Sequence, residues 1–139
     1  MSGFGVEQAR EAIGKVFAPW IVELGLEPVA FDDKGGDFKL RENPRLVHVG
    51  GVVCGQATAS VADTACVLAL SALNGRFRIC TTVDLTTHFI RPLKPGDVVI
   101  RVDVLSNGKR MAYARVEMRA AGDTRVAVTA TAAFAYLED

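Results

Sequence analysis

The sequence predicts an α+β fold, one long apolar helix held against a curved antiparallel sheet. Three patterns point to it. Apolar residues recur at three- and four-residue steps over 6–24, small and apolar residues run almost unbroken over 56–73, and from residue 79 onwards the apolar period changes to two. Helical and extended patterns are segregated along the chain, where a parallel sheet would need them to alternate. The chain has 139 residues, enough to bury roughly two thirds of the surface its unfolded form exposes. A single domain over residues 1–139 is therefore expected, with 1–26 as an N-terminal helical segment and 27–139 as the sheet and central helix.

In the first segment Ala9, Ile13, Val16, Phe17, Trp20 and Leu24 fall on one face of an amphipathic helix. Pro19 should kink or split that helix and Gly25 should end it. "PVAFDDKGGDFKL" predicts a hairpin turning at Asp33-Lys34-Gly35-Gly36, and "RENPRLVHVGG" a loop. The run 56–73 has the length of a helix, about 27 Å at 1.5 Å per residue, and Asn74-Gly75 is a good C-terminal stop. Apolar nearly all round, it must be surrounded by protein, and its alanines let neighbouring backbone come close. Residues 79–90 then alternate along one long strand, which Pro92 ends before Pro95-Gly96 turns the chain. Three more strands follow over 98–105, 110–119 and 126–136, separated by "SNGK" and "AAGDT", both with hairpin turn chemistry.

Composition removes several functions. Half the residues are hydrophobic and 23% are charged, which excludes disorder and leaves more apolar surface than a small monomer needs. Part of it is expected to cover a subunit interface. Sixteen basic residues cancel sixteen acidic ones, and the cations are not interleaved with an aromatic series, so nucleic acid is not an expected partner. "MSGFGVEQAR" has neither a basic nor an apolar leader region, so the expected location is the cytoplasm. Cys54, Cys66 and Cys80 are odd in number and lack CxxC spacing, against both a disulfide framework and a metal site; no cofactor is expected. The 56–73 run is broken by Gln56, Thr58, Ser60, Asp63, Thr64 and Ser71. It falls short of the roughly 20 predominantly apolar residues of a membrane span, and a central Asp is disfavoured there.

Within "GGVVCGQATASVADTACVLALSALNG", Asp63 is the single charge. Either it lies on a solvated or ion-paired face, or it has work that offsets the cost of burying a carboxylate. At the start of the same helix the free N–H groups of Gly55 and Gln56 can polarise a carbonyl and hold an oxyanion, and glycine permits close approach. Cys54 beside them is either a nucleophile or a packed, inert thiol. His48, in the loop before the helix, can hold a carbonyl or a water. His88 is expected on the strand face of Thr82, Asp84 and Thr86, making a structural or interface hydrogen bond. Thr82 by itself is ordinary, because a β-branched residue suits a strand.

"GGVVCGQATASVADTA", "TTVDLTTHFIRPLKPGD" and "LSNGKRMAYARVEMRAAGDTRVAVTATAAF", in that order and spacing, resemble the hot dog fold over roughly residues 43–136. Within that fold they resemble the acyl-CoA thioesterases related to the phenylacetate-pathway enzymes. The resemblance implies hydrolysis of an acyl- or aryl-CoA at sites shared between subunits of a homodimer or dimer of dimers. It makes Asp63 the general base or nucleophile, acting on a thioester held at Gly55 and Gln56 of the other subunit, with Thr82 orienting the water. His48 stands where many relatives have Asn, and Cys54-Gly55-Gln56 where many have His-Gly-Gly, so orientation of the substrate around Cys54 is where this chain departs from the pattern. For the phosphates of coenzyme A the resemblance points to Arg91, Lys94, Lys109 and Arg110, cations in or beside turns.

Three functions remain open at this level. The first is the acyl-CoA thioesterase. The second is a dehydratase or hydratase of 3-hydroxyacyl thioesters, with His48 and the helix carboxylate as acid/base pair. The third is a non-catalytic acyl-CoA binding protein, for which the altered Cys54-Gly55-Gln56 turn speaks.

Overall fold

The structure, a computed structural model, describes residues 3–138. Helices α1 (Val6–Val16) and α2 (Pro19–Val22) lead into β1 (Leu26–Phe31) and β2 (Gly35–Leu40). A 3-10 turn (Pro44–Leu46) precedes the long helix α3 (Gly55–Asn74), and β3 (Cys80–Phe89), β4 (Val98–Asn107), β5 (Met111–Ala120) and β6 (Val128–Tyr136) complete the chain. All six strands form one antiparallel sheet in the order β1-β2-β4-β5-β6-β3. The first hairpin thus joins the later strands through β2 against β4, a long-range pairing that no local pattern announces.

Helix α3 lies against the inner face of this sheet, touching strands from both halves of it. Val61, Ala62, Ala65, Cys66, Leu68 and Ala69 are fully buried there, with Phe38, Ile100, Val116, Met118 and Phe134 facing them in the same core. Its buried hydroxyls are satisfied within the helix, since Thr58, Thr64 and Ser71 donate to the carbonyls of Gly55, Ser60 and Val67 at 2.8–3.1 Å. Long and apolar enough to cross a membrane, α3 nonetheless has 67% of its most apolar window buried inside the protein, as a core helix does. Gly75, in the left-handed region at φ 75°, ends it.

Pro19 splits the first helix as expected, standing at the first position of α2, where its missing N–H costs nothing. The hairpin differs from expectation. Its turn is Asp32-Asp33-Lys34, and the two glycines assigned to the turn belong to β2. A Cβ on Gly35 would come within 1.9 Å of the Val102 carbonyl oxygen, and one on Gly36 within 2.7 Å of the Phe31 ring. These glycines serve close approach between strands, a use with the same sequence signature as a turn.

Strand β3 is one of the two edges of the sheet, opposite β1, and pairs on one side only, to β6. Its neighbourhood carries exposed Ile79, Val83, Phe89 and Ile90, each 54–59% accessible. An unpaired edge flanked by large apolar side chains is a surface that proteins normally cover.

Candidate active site

Asp63, two turns into α3, is half-buried, and its Oδ1 accepts a 2.8 Å hydrogen bond from the Thr82 hydroxyl. Its Oδ2 has no partner among the described residues, and neither oxygen meets a cation. The ion-paired reading of Asp63 therefore does not hold. Asp63 and Thr82 open into a cavity of about 270 Å³ walled by Val16, Phe17, Ile21, Thr64, Val67, Phe77 and Cys80.

A defect in β3 makes this pairing. The register against β6 slips between Thr82 and Asp84, leaving Val83 as the extra residue of a bulge. Cys80 and Thr82 stand opposite the buried Tyr136 and Phe134, and so face the helix. Beyond the bulge the phase has flipped, and Leu85, Thr87 and Phe89 stand opposite the buried Ala132, Ala130 and Val128. The expected common face of Thr82, Asp84, Thr86 and His88 is therefore wrong: Thr82 points inward and the other three outward. Unbroken alternation would have turned either Thr82 or Phe89 away from α3.

The start of α3 forms a second cavity, of about 360 Å³, lined by His48, Val52, Val53, Gly55, Thr58, Phe89, Arg91 and their neighbours. Cys54 is the N-cap residue but caps nothing with its side chain, and the N–H groups of Gly55 and Gln56 meet no acceptor among the described residues. A Cβ on Gly55 would lie 3.2 Å from the Phe89 ring, so the aromatic rests on the first residue of the helix. His48 sits on a tight loop whose ends are tied by the Val47–Val53 bridge and whose turn uses Gly51 at φ 83°. Its Nδ1 accepts the Gly50 N–H at 2.8 Å, which fixes the neutral ring with its proton on Nε2. That imidazole is a donor. Gly50 is required for the contact, because a Cβ there would fall 2.6 Å from His48 Cε1.

The other expected residues divide between the ends of α3. Arg91 lines the cavity at the helix start and donates to the Val126 carbonyl at 3.1 Å, while exposed Lys94 follows Leu93, whose carbonyl accepts from Val53. Lys109 and Arg110 lie at the opposite end, in the β4–β5 turn, beside Arg78, which donates to the Lys109 carbonyl at 3.3 Å. Asn107 binds Asn74, the last residue of α3, at the same place. Within one chain these four cations do not converge. Gln56 is exposed, and half-buried Cys54 packs against the core without lining either cavity. Burial pushes the Cys66 thiol well above the usual range and raises that of half-buried Cys80, and the Asp63 carboxylate adds to both, so neither is a thiolate nucleophile near neutral pH.

Sequence reasoning missed Phe89, Phe17, Val67 and Phe77 as cavity walls, since single apolar residues carry no signal separating core from site. It also missed Arg76 and Arg78, which pair with Glu138 beside Lys109 and Arg110; the "GRFR" stretch was the available clue.

Comparison with known proteins fits this geometry. A protein of Saccharolobus solfataricus, provisionally named an esterase, is 27% identical over 88 residues, 63% of this chain and 58% of that one. The chain thus spans under two thirds of that relative. A conserved protein of Pseudomonas aeruginosa superposes with a TM-score of 0.79 at 27% identity, over 89% of this chain and 98% of its own. A thioesterase of Haemophilus influenzae superposes with a TM-score of 0.85 at 18% identity, over 97% and 92%, and shows the shared hot dog fold. The sequence profile of the thioesterase superfamily matches residues 50–127, from the loop before α3 to the threshold of β6. Both cavities draw most of their residues from that span, and with more than half of its length matched the chain belongs to the thioesterase superfamily.

Proposed function

We propose that the protein is an acyl-CoA thioesterase of the phenylacetate-pathway type, hydrolysing an acyl- or aryl-CoA to the free acid and CoA in the cytoplasm. The observation that carries this reading is the Thr82–Asp63 hydrogen bond at 2.8 Å, in a cavity with apolar walls and no competing cation. The free thiols of its three cysteines favour a reducing compartment.

The functional unit is a homodimer, or a dimer of such dimers, in which two β3 edges pair around a two-fold axis. An isologous pairing of one edge with itself is antiparallel, so the Cys80 end of one β3 meets the Phe89 end of the other. It brings the helix start of one subunit, with His48, Gly55 and Arg91, toward Asp63 and Thr82 of its mate. It also brings Lys109 and Arg110 of one subunit toward Arg91 and Lys94 of the other, which supports a shared path for the phosphates of CoA.

In this unit the thioester carbonyl lies at the helix start of one subunit and the water at Asp63 of the other. Thr82, whose hydroxyl donates a hydrogen bond to Asp63 Oδ1, accepts one O–H of the water, and Asp63 Oδ2 takes the proton of the other. The water oxygen bonds to the carbonyl carbon, and the oxyanion that forms is held by the N–H groups of Gly55 and Gln56 and by His48 Nε2–H. The carbonyl then reforms, the carbon–sulfur bond breaks, and the departing thiolate takes the proton from Asp63. A dehydratase would need His48 to remove a proton from carbon, and Nε2 already carries one.

The test is thiol release across a panel of acyl- and aryl-CoA esters by the wild-type protein and Asp63→Asn. Loss of most activity in the variant is expected, and full activity would remove Asp63 from the mechanism. Tight binding of CoA esters with no turnover anywhere on the panel would make the protein an acyl-CoA binder. Loss of enoyl absorbance from crotonyl-CoA without thiol release would restore the hydratase.

A further inference from the structure

The cavity that holds Asp63 and Thr82 is walled on one side by side chains from outside the residues shared with the superfamily profile. Val16 ends α1, Phe17 lies in the break before α2, and Ile21 belongs to α2, whereas the profile begins at residue 50. Val67 from α3, with Phe77 and Cys80 from the connection into β3, forms the remainder. Phe17, Ile21, Val67, Phe77 and Cys80 all pack against the core, yet none is fully buried. Each keeps an apolar face turned to the same space, and half-buried Asp63 stands at that space with an unpartnered Oδ2.

We propose that the α1–α2 segment is the gauge that sets which acyl groups this enzyme accepts. The inference rests on the thioesterase reading above and names its substrate class. A carbon chain entering beside Asp63 displaces about one water's volume, roughly 30 Å³, for each carbon. The cavity volume of about 270 Å³ then surrounds roughly nine carbons of an acyl group, and carbons beyond these pass its mouth without finding wall. Straight medium chains and acyl groups carrying one phenyl ring fall within that limit, and the Phe17 and Phe77 rings offer aromatic edges and faces to the latter. Long-chain acyl groups exceed it.

The experiment is kcat/KM for thiol release over straight-chain acyl-CoA esters from acetyl to hexadecanoyl, with phenylacetyl-CoA, for wild type, Phe17→Ala and Val67→Phe. In the wild type kcat/KM is expected to rise by about fourfold per methylene that finds wall and to stop rising near nine carbons. Phe17→Ala should move that limit to longer chains, and Val67→Phe, which fills the cavity from α3, to shorter ones. Phe17 reaches the core, so circular dichroism checks its variant, and Val67→Phe tests the same space from an element that the change does not truncate. Should kcat/KM climb steadily to hexadecanoyl-CoA, or both variants keep the wild-type limit, the gauge is wrong while the thioesterase stands. No thiol release from any ester would overturn both.

Discussion

Two regions of α3 present opposite kinds of hydrogen-bonding group. At its start are donors: the bare N–H groups of Gly55 and Gln56, His48 with its proton on Nε2, and Arg91, with no carboxylate lining the same cavity. Two turns further on are acceptors: Asp63 and the lone pairs of Thr82, in a cavity whose described lining residues include no cation. In the proposed mechanism one region stabilises negative charge and the other creates a nucleophile, and within one chain they form separate cavities. Separation also has a physical benefit. A carboxylate placed directly at the helix start would bind the N–H groups itself, as an anion does at any helix N-terminus, and close the site to substrate. In the proposed dimer, dividing the parts between subunits would keep both poised and unpartnered until the dimer forms.

The largest expected effect comes from breaking each half in a different chain. Asp63→Asn should lower kcat by about a thousandfold, the middle of the range that a general base contributes. Gly55→Val, which drives a branched side chain into the Phe89 ring, should abolish activity at the other half. If the halves act across the interface, unfolding and refolding the two dead variants together gives mixed dimers with one intact site, and activity recovers to about a quarter of wild type for random pairing. Recovery to no more than the level of the separate variants would place both halves in one chain. Thr82→Ser, which keeps the hydroxyl, should stay close to wild type, and Thr82→Val should lose roughly tenfold to a hundredfold in kcat.

Next in size is the edge itself. Val83→Lys sets a charge on the exposed bulge of β3, the device by which natural edge strands refuse partners. Analytical ultracentrifugation should show monomer, far-ultraviolet circular dichroism an unchanged fold, and thiol release a fall of about a hundredfold, since both half-sites persist but no longer meet. A fully active monomer would refute the division of labour.

Much of this was legible before the structure, and the part that was not has specific causes. Helix α3 announced itself because an 18-residue apolar run has one stable form in a protein of this size, and Asp63 because a lone charge in such a run demands a reason. Thr82 was singled out, to orient the water, by resemblance alone, and its hydrogen bond to Asp63 could not be read, since "CTTVDLTTHF" alternates without interruption on paper. The bulge at Val83 arises from pairing with β6, some fifty residues later in the chain, and period-two reasoning cannot see it. The glycines of β2 were misread for a related cause: Gly35 answers to Val102 and Gly36 to Phe31, contacts set by pairing across strands. Gly55 combines both situations, legible as a helix-start glycine and illegible as the seat of Phe89. Gly55→Ala is accordingly a finer probe than Gly55→Val: its Cβ needs the ring to yield only a few tenths of an ångström, and the expected cost is about tenfold in kcat/KM.

The smallest effect on activity is expected from the outer face, where Arg101 joins Asp32 at 2.9 and 3.1 Å and also reaches Asp37 and Asp103. Hydrogen bonds from Arg101, and then from the Lys34 backbone, bring the Asp32 carboxyl down to about 2. A carboxyl whose folded pKa lies below its unfolded one contributes stability that is fully present above the unfolded value, about 3.9. That contribution fades as pH falls from there toward 2. Asp32 is half exposed, so solvent screening holds the contribution to about 1 kcal/mol at neutral pH. Arg101→Met should therefore lower stability by that order at pH 7 and flatten its decline between about pH 4 and 2, as urea titrations would show. The same variant, assayed for thiol release at 25 °C, should keep wild-type kcat and KM, because Arg101 lines neither half-site. A drop in kcat without further loss of stability would tie the outer face of the sheet to the site, and the contrast between the two regions of α3 would no longer account for the activity by itself.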